Sequence, residues 1–369
     1  RRAPPYVYPA MNTYKPLNAA SGPSRSDQSG LTLPELLLAM LLGLFITAGG
    51  ISLFVTNKVV YTDTARLTEL QENARFAHQY LLHDLRHAYF LGEFHDGDGD
   101  LAFESDTFND TTIISNNCTH KAAPNDGPLV YGTKATDGAA ISCIADAARI
   151  EGIPSDVLVL KMAAPRFITD DDHLTKGSLY LASSSLKNCV FQHTDGTDAP
   201  SVAPTCKGVD CDCFPFGSYS PYSFRAYYIR DADPLDGEPP TLSRKVLKWD
   251  PLSGLTIVTE DLVEGVEGMR ILYSDRPIAA AGPKNPVPFK DAADPSIDWD
   301  RISAVRVHLL VRTLQPHPSH EDHSTYILGD TEVDFADANF ATSLSQGAQL
   351  RNFHRRVVSA TVMLRNKLP

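Results

Sequence analysis

One apolar segment constrains the fold of this chain more than any other feature. It runs from Leu31 to Val55 and contains a single charged residue, Glu35. A helix needs roughly 20 apolar residues to cross the hydrocarbon core of a bilayer, whereas the apolar part of a cleaved secretory signal has about 7–15. The segment therefore predicts a transmembrane helix that is kept in the protein. No other segment of the sequence is as long and apolar, which excludes a polytopic membrane protein.

The charges around this segment indicate its orientation. Arg1, Arg2, Lys15 and Arg25 precede it, with one acid, Asp27. Because basic flanks are retained in the cytoplasm, this predicts a cytoplasmic N-terminus and places the rest of the chain outside. Over the whole chain 45 acidic residues outnumber 33 Lys and Arg, which gives a formal net charge of −12. An acidic chain lacks the basic surface of a nucleic-acid-binding protein, so we expect no nucleic-acid partner.

The start of the apolar segment carries a recognisable motif. The sequence SGLTLPELL (residues 29–37) resembles the signal of type IV prepilins. The resemblance implies that residues 1–30 are a leader, that a prepilin peptidase cuts between Gly30 and Leu31, and that the new N-terminus is methylated. Glu35 would then be the fifth mature residue. A carboxylate one helical turn from the new α-ammonium, in the same or a neighbouring subunit, can neutralise it, so we expect an assembly salt bridge at Glu35.

The helical pattern continues over residues 56–92. Apolar side chains recur there at spacings of three and four, as in an amphipathic helix with one buried stripe: Leu67, Leu70, Ala74, Ala77, Leu81, Leu85 and Ala88. Polar side chains are expected on the other faces: Glu69, Gln71, Glu72, Arg75, Gln79 and Asp84. We expect the helix to end near Gly92. Three glycines are candidate positions for a bend or a local melt: Gly43, Gly49 and Gly50.

The remainder of the chain has mostly strand-like patterns, separated by loops rich in Pro and Gly. Four runs have β-type composition or alternation: residues 156–162, 223–230, 305–312 and 356–364. We therefore predict an α+β fold in which the amphipathic half of the helix packs on an antiparallel sheet. The predicted globular head spans residues 93–369 and includes a loop-rich, cysteine-containing region at about 93–220.

Several blocks of the sequence resemble the PilW-type minor pilins of type IV pili. They are LQENARFAHQYLLHDLRHAYFLG (70–92), DLVEGVEGMRILY (261–273), ISAVRVHLLVRT (302–313) and RRVVSATVMLRN (355–366). The resemblance implies a pilin-like fold and a single-pass inner-membrane protein with a periplasmic head, later incorporated into the pilus at the cell surface. It implies priming and assembly of the pilus, at or near its tip. The implied partners are other minor pilins, the major pilin and the inner-membrane assembly platform.

Other functions fit parts of the same sequence. A minor pseudopilin of a type II secretion system would share the signal and the helix, although its J-type member is generally shorter. The region at 93–220 would suit the binding module of a pilus-tip adhesin. A membrane-anchored periplasmic enzyme would need a catalytic cluster. The sequence has no nucleophile elbow, P-loop, HExxH or dinucleotide fingerprint, so we expect no enzymatic activity.

Six cysteines follow the apolar segment: Cys118, Cys143, Cys189, Cys206, Cys211 and Cys213. An even number in an oxidising compartment predicts disulfides. We expect Cys118 to pair with Cys143 because they are close in sequence, and the other four to pair among themselves. A bond between Cys211 and Cys213 would close a very tight ring and is disfavoured. A thiolate metal site is the alternative, but the spacing matches no zinc pattern.

Two polar motifs are candidates for metal binding. Asp96, Asp98 and Asp100 alternate as at the start of a calcium loop, but the positions that such a loop gives to Gly and Glu hold other residues. We interpret this motif as a solvated acidic turn, with calcium as the alternative, and expect no other cofactor. Three histidines lie in a polar loop with two prolines nearby, which we interpret as exposed rather than metal-binding: His317, His320 and His323.

Overall fold

The computed structural model describes residues 30, 32–94, 102, 118, 123–124, 127–135, 141–147, 152–193, 199–202, 211–230, 238–275, 288–317, 319–336 and 350–366. Within these ranges lie one α-helix and thirteen strands, with antiparallel pairing throughout the sheets. The predicted α+β arrangement is therefore confirmed. The chain divides into two compact units, residues 1–60 and residues 61–369, which we call the anchor unit and the head unit.

Helix α1 runs from Leu33 to His87, over 55 residues, which corresponds to about 80 Å. It is continuous through Gly43, Gly49 and Gly50, so the predicted local melt is wrong. It also ends earlier than predicted.

The C-terminal end of α1 has two identifiable causes. Tyr89 adopts a left-handed backbone conformation with φ of 61°, which cannot continue a right-handed helix. The side-chain amide of Asn366 donates hydrogen bonds to the carbonyl oxygens of Arg86 and Ala88, at 3.2 and 3.1 Å. These bonds satisfy carbonyls that the helix end leaves without partners, and they involve a residue almost at the end of the chain.

The first sheet has seven strands. They are β1 (Val130–Lys134), β2 (Asp156–Ala163), β3 (Leu179–Ser183), β4 (Asn188–Gln192), β5 (Ser218–Arg230), β6 (Thr241–Asp250) and β7 (Gly254–Glu264). The long strand β5 organises the sheet, because it pairs with β2, β3 and β6. Among the described residues β7 pairs with β6 alone, so β7 is an edge strand.

The second sheet has four strands in the order β13-β10-β8-β9. Their bounds are β8 (Val266–Ser274), β9 (Lys290–Asp291), β10 (Ala304–Arg312) and β13 (Arg355–Met363). A separate hairpin of β11 (Thr325–Leu328) and β12 (Thr331–Asp334) packs against β10 through Leu328, Val333 and Leu310. The four runs predicted as strands correspond to β2, β5, β10 and β13, which confirms them.

In the head unit, the amphipathic half of α1 packs against both sheets. Its buried stripe consists of Leu70, Ala74, Ala77, Leu81 and Leu85, at the predicted spacing. From Ala74 onward these residues share one core with alternate residues of β2, β8 and β10: Leu158, Leu160, Ile271, Tyr273, Val307 and Leu309. Leu67, which the pattern assigned to the stripe, is instead 40% exposed. The stripe therefore begins one turn later than predicted.

The opposite face of the first sheet is also covered. Val157 and Val159 of β2 and Phe224 and Ala226 of β5 belong to a second core. Side chains from the region 118–147 complete that core: Cys118, Ala135, Ile141, Ile144 and Ala147. Both faces of β2 are therefore buried, which explains why its sequence is apolar apart from Asp156 and Lys161.

A single glycine connects the two sheets. Gly265 lies between the last residue of β7 and the first residue of β8, and its φ is +82°, in the left-handed region. A Cβ at this position would lie 2.7 Å from the carbonyl oxygen of Arg312. Only glycine avoids both the strained φ and the contact with the backbone.

We predict that Gly265→Asn destabilises the head unit more than Gly254→Asn does. The two glycines have similar φ values, +82° and +74°, and Asn tolerates this region better than most residues. A Cβ added at Gly254 would meet open space, whereas one added at Gly265 would meet backbone. We expect the free energy of unfolding to fall by about 1–3 kcal/mol for the Gly265 variant and by about 0.5 kcal/mol or less for the Gly254 variant. Urea unfolding followed by Trp fluorescence measures both. Equal losses at the two positions would contradict the steric argument.

Candidate functional site

The N-terminus of α1 carries a capping interaction. Thr32 directly precedes the helix, and its backbone N–H and side-chain hydroxyl approach Oε2 of Glu35 at 3.5 and 3.3 Å. This is one half of a capping box, in which a Glu side chain in the first turn accepts a hydrogen bond from the backbone N–H of the residue before the helix. Gly30 is exposed. Leu31 and residues 1–29 of the predicted leader lie outside the described residues.

The apolar half of α1 is exposed along its whole length. Every residue from Leu33 to Val60 is solvent-accessible in the chain, including large side chains such as Phe45 and Phe54. Water is a poor environment for a continuous apolar surface of this extent. The segment is long and apolar enough to cross a bilayer, so it fits a membrane anchor.

A buried carboxylate joins the amphipathic half of α1 to the first sheet. Asp84 is 3% exposed, and its Oδ2 is paired with Arg225 of β5. The same oxygen accepts a hydrogen bond from the hydroxyl of Tyr227 and lies 3.8 Å from Nη1 of Arg244 in β6. Arg244 in turn is held by Glu260 of β7 at 2.8 Å. Three neighbouring strands thus contribute to the surroundings of one helical side chain.

The surroundings of Asp84 keep it ionised. Burial alone would raise the pKa of the Asp84 carboxyl, but the hydrogen bond and charge of Arg225, together with the Tyr227 hydroxyl, outweigh burial and lower it. The sequence pattern assigned Asp84 to a polar, exposed face of the helix, and that prediction is wrong. Its partners are more than 140 residues away in the sequence, so helical spacing gave no signal for them. Glu72, Arg75 and Gln79 were assigned to the polar faces, and all three are exposed, as that assignment requires.

A second buried cluster joins the two sheets. Arg270 of β8 lies between three carboxylates: Asp156 of β2 at 3.2 Å, Asp291 of β9 at 3.0 Å and Asp330 of the hairpin turn at 2.7 Å. Asp156 also accepts a hydrogen bond from the backbone N–H of Ile271 at 2.7 Å. Burial raises the pKa of Asp156 to about 6, although Arg270 opposes this shift. The cluster fixes the position of β8 against β2.

Two disulfides lie among the described residues. Cys118 and Cys143 are bonded, with a Cα–Cα distance of 4.6 Å, as expected from their proximity. Cys189 and Cys211 are bonded at a Cα–Cα distance of 5.7 Å, which is one of the pairings left open by the sequence. Cys213 is buried, and Cys206 lies outside the described residues. The first bond ties a covering segment to the core on the outer face of the first sheet.

Of the two motifs considered as metal-binding candidates, the histidine motif lies among the described residues. Asp96, Asp98 and Asp100 lie outside them. His323 is exposed as predicted, but His317 is not: its Nε2 lies 3.0 Å from Oδ1 of Asp63 on α1. His320 stacks on His354 with ring centroids 3.8 Å apart. Three adjacent carboxylates in the described part of the chain are close enough to share a cation, but all are exposed: Asp170, Asp171 and Asp172.

We predict that Asp84→Asn destabilises the head unit by about 2–3 kcal/mol at pH 7, because it leaves Arg225 without its buried counter-charge. Glu72→Gln, on an exposed face of the same helix, should change the free energy of unfolding by about 0.5 kcal/mol or less. Urea unfolding followed by Trp fluorescence measures both.

The stability difference between wild type and Asp84→Asn should depend on pH. The folded-state pKa of Asp84 is depressed, so its contribution to stability is present above the ordinary Asp pKa of about 3.9 and is lost as the pH falls through the lower folded-state value. The difference in stability between wild type and Asp84→Asn should therefore shrink below about pH 4. A difference that stays constant between about pH 7 and about pH 3 would contradict this assignment.

A family comparison identifies part of the chain. Residues 226–366 match the PilW family, described as Type IV Pilus-assembly protein W. The matched segment begins within β5 and includes β6 to β13, so it contains the whole second sheet and the blocks at 261–273, 302–313 and 355–366. No curated protein and no solved structure matches the chain. The match supports a role in type IV pilus assembly, and the long N-terminal apolar helix is consistent with it.

Proposed function

We propose that this protein is a minor pilin that takes part in priming and assembling the type IV pilus, at or near its tip. The observation that carries the proposal is the combination of two features at opposite ends of the chain. The C-terminal segment matches a pilus-assembly family, and the N-terminal segment is an exposed apolar helix that begins directly after SGLT. Neither feature requires a catalytic site, so the proposed mechanism is packing of the helix and of head surfaces on other pilins.

The proposal includes processing of the N-terminus. A peptidase that cuts between Gly30 and Leu31 would release a leader of residues 1–30 and keep the whole apolar helix. We predict that the N-terminal peptide of protein isolated from its native membranes begins at N-methylated Leu31. Mass spectrometry of that peptide measures this directly. An intact leader, or a cut after about Gly50, would exclude the prepilin class, and with it the assembly role.

Glu35 is proposed to act in assembly through its charge. Its carboxylate accepts a hydrogen bond from the backbone N–H of Thr32, so Glu35 already satisfies one backbone N–H at the helix start. Cleavage would place an α-ammonium on Leu31, one turn before Glu35. Inside a bundle of apolar helices an unpaired ammonium is costly, and a carboxylate of the same or a neighbouring subunit would offset that cost.

Two substitutions separate the charge of Glu35 from its capping role. Glu35→Gln keeps a side-chain acceptor for the Thr32 N–H but removes the charge, whereas Glu35→Val removes both. We predict that both variants insert and are cleaved, and that both lower incorporation into sheared pili at least about tenfold, the effect of losing roughly 1.4 kcal/mol of pairing. Quantitative immunoblots of pilus and membrane fractions measure this. Normal piliation with Glu35→Gln would show that capping, not ion pairing, is the role of Glu35.

The pseudopilin alternative predicts different binding partners and a different effect of deleting the gene. A minor pilin should co-purify with pilus subunits, and deletion of its gene should reduce the number of pili on the cell without affecting protein secretion. A minor pseudopilin of a type II secretion system should show the reverse pattern. The match to a pilus-assembly family favours the pilus.

A further inference from the structure

A groove in the head unit lies between α1 and the edge of the first sheet. It encloses about 470 Å³ and is open to solvent. One wall is the helical face that carries Glu69, Phe76 and Tyr80, and the other includes Leu262 and Glu264 of β7. The wall residues of α1 are spaced by seven and four positions, so they lie on one face of the helix, next to the buried stripe.

The apolar part of the groove, which we call its floor, is formed by Phe76, Tyr80 and Leu262. Phe76 is 52% exposed and Tyr80 is 44% exposed, while the stripe residues beside them are buried. Two adjacent aromatic side chains on an amphipathic helix are expected in a core. Here they are exposed next to Leu262 and form an apolar surface patch, as is typical of an interaction site. Within the described part of the chain, no element packs over them.

The rim of the groove carries three carboxylates, those of Glu69, Asp261 and Glu264. Glu69 on the helix and Glu264 on the strand make no ion pair with any described residue, and they lie on opposite walls. Asp261, also on the rim, is already neutralised by Arg230 at 3.0 Å and accepts from Ser243 at 2.6 Å. Two free carboxylates over an aromatic floor complement a cation that carries an apolar stem. Arg and Lys have this chemistry, and each can also stack on Phe or Tyr.

We propose that this groove binds a segment of another subunit of the assembly in which a Lys or Arg stands next to an apolar side chain. The inference rests on the proposed function and names the chemistry of the partner at one surface. An anionic lipid surface is disfavoured as the occupant, because the carboxylates of Glu69 and Glu264 would repel it. A protein segment satisfies the charges and the apolar floor together.

Photocrosslinking in cells that express the full chain tests the proposal. Phe76 is replaced by benzoylphenylalanine, and Gln71, which is exposed and five residues before Phe76, hence on another face of the helix, is replaced in a matched control. We expect ultraviolet light to join the Phe76 variant to one other subunit, at a peptide with Lys or Arg within a few residues of the attachment point. The yield should be clearly higher than with the Gln71 variant. Attachment to lipid, to this chain itself, or to a peptide without a basic residue would overturn the proposal.

Charge reversal tests the rim independently. Glu69→Lys combined with Glu264→Lys should lower the Phe76 crosslink about tenfold, as expected for the loss of two charge contacts at a partner surface, whereas Gln71→Lys, on another face of the helix, should leave it unchanged. The thermal unfolding midpoints of these proteins, followed by Trp fluorescence, should match that of the parent, which shows that the head unit is folded. A crosslink insensitive to rim reversal, or equally sensitive to Gln71→Lys, would overturn the proposed charge complementarity.

Failure of this inference can be distinguished from failure of the proposed function. If deletion of the gene removes pili but the Phe76 variant gives no crosslink, the groove is not the partner surface and the assembly role stands. If the crosslinked peptide with its basic residue belongs to a secretion subunit, the groove is a partner surface and the pilus assignment is wrong.

Discussion

The buried stripe of α1 is the contact on which the rest of the head unit depends. Leu70, Leu81 and Leu85 are each almost completely buried, and burial of one such side chain contributes about 1.5–3 kcal/mol. The same stripe contacts residues of both sheets. Without the helix, the inner faces of β2, β8 and β10 would be exposed together. The two sheets therefore share the helix as a common core element.

Buried charges then select one arrangement of these elements. Asp84 fixes the helix against β5 and β6, and Arg270 fixes β8 against β2 and β9. In the second sheet, Arg355 of β13 is paired with Glu267 of β8 at 2.7 Å, and both side chains are fully buried. A buried charge separated from its partner costs several kcal/mol. Each pair therefore penalises any packing in which its two elements slide or separate, which apolar contacts alone would tolerate.

The sequence predicted the features that depend on local periodicity. The stripe of α1 from Leu70 onward and the strands β2, β5, β10 and β13 follow from spacing and composition. The features it missed depend on distant residues. The helix ends where Asn366 caps its carbonyls, and Asp84 is buried because Arg225 and Arg244 come from strands far along the chain. The edge strand β7 and the exposure of Phe76 and Tyr80 also follow only from the order of strands in the sheet.

The two halves of α1 differ in what they require from their surroundings, and the charge pattern marks the division. No charged residue lies between Glu35 and Lys58, a stretch of about 33 Å in a helix, which is close to the roughly 30 Å of a hydrocarbon core. In a bilayer Glu35 would thus lie near a polar boundary, where its charge costs little. In a filament of packed helices that boundary is absent, so the same carboxylate would need a cation from the same or a neighbouring subunit. The anchor unit would then be indifferent to Glu35 as a membrane segment and dependent on it in assembly.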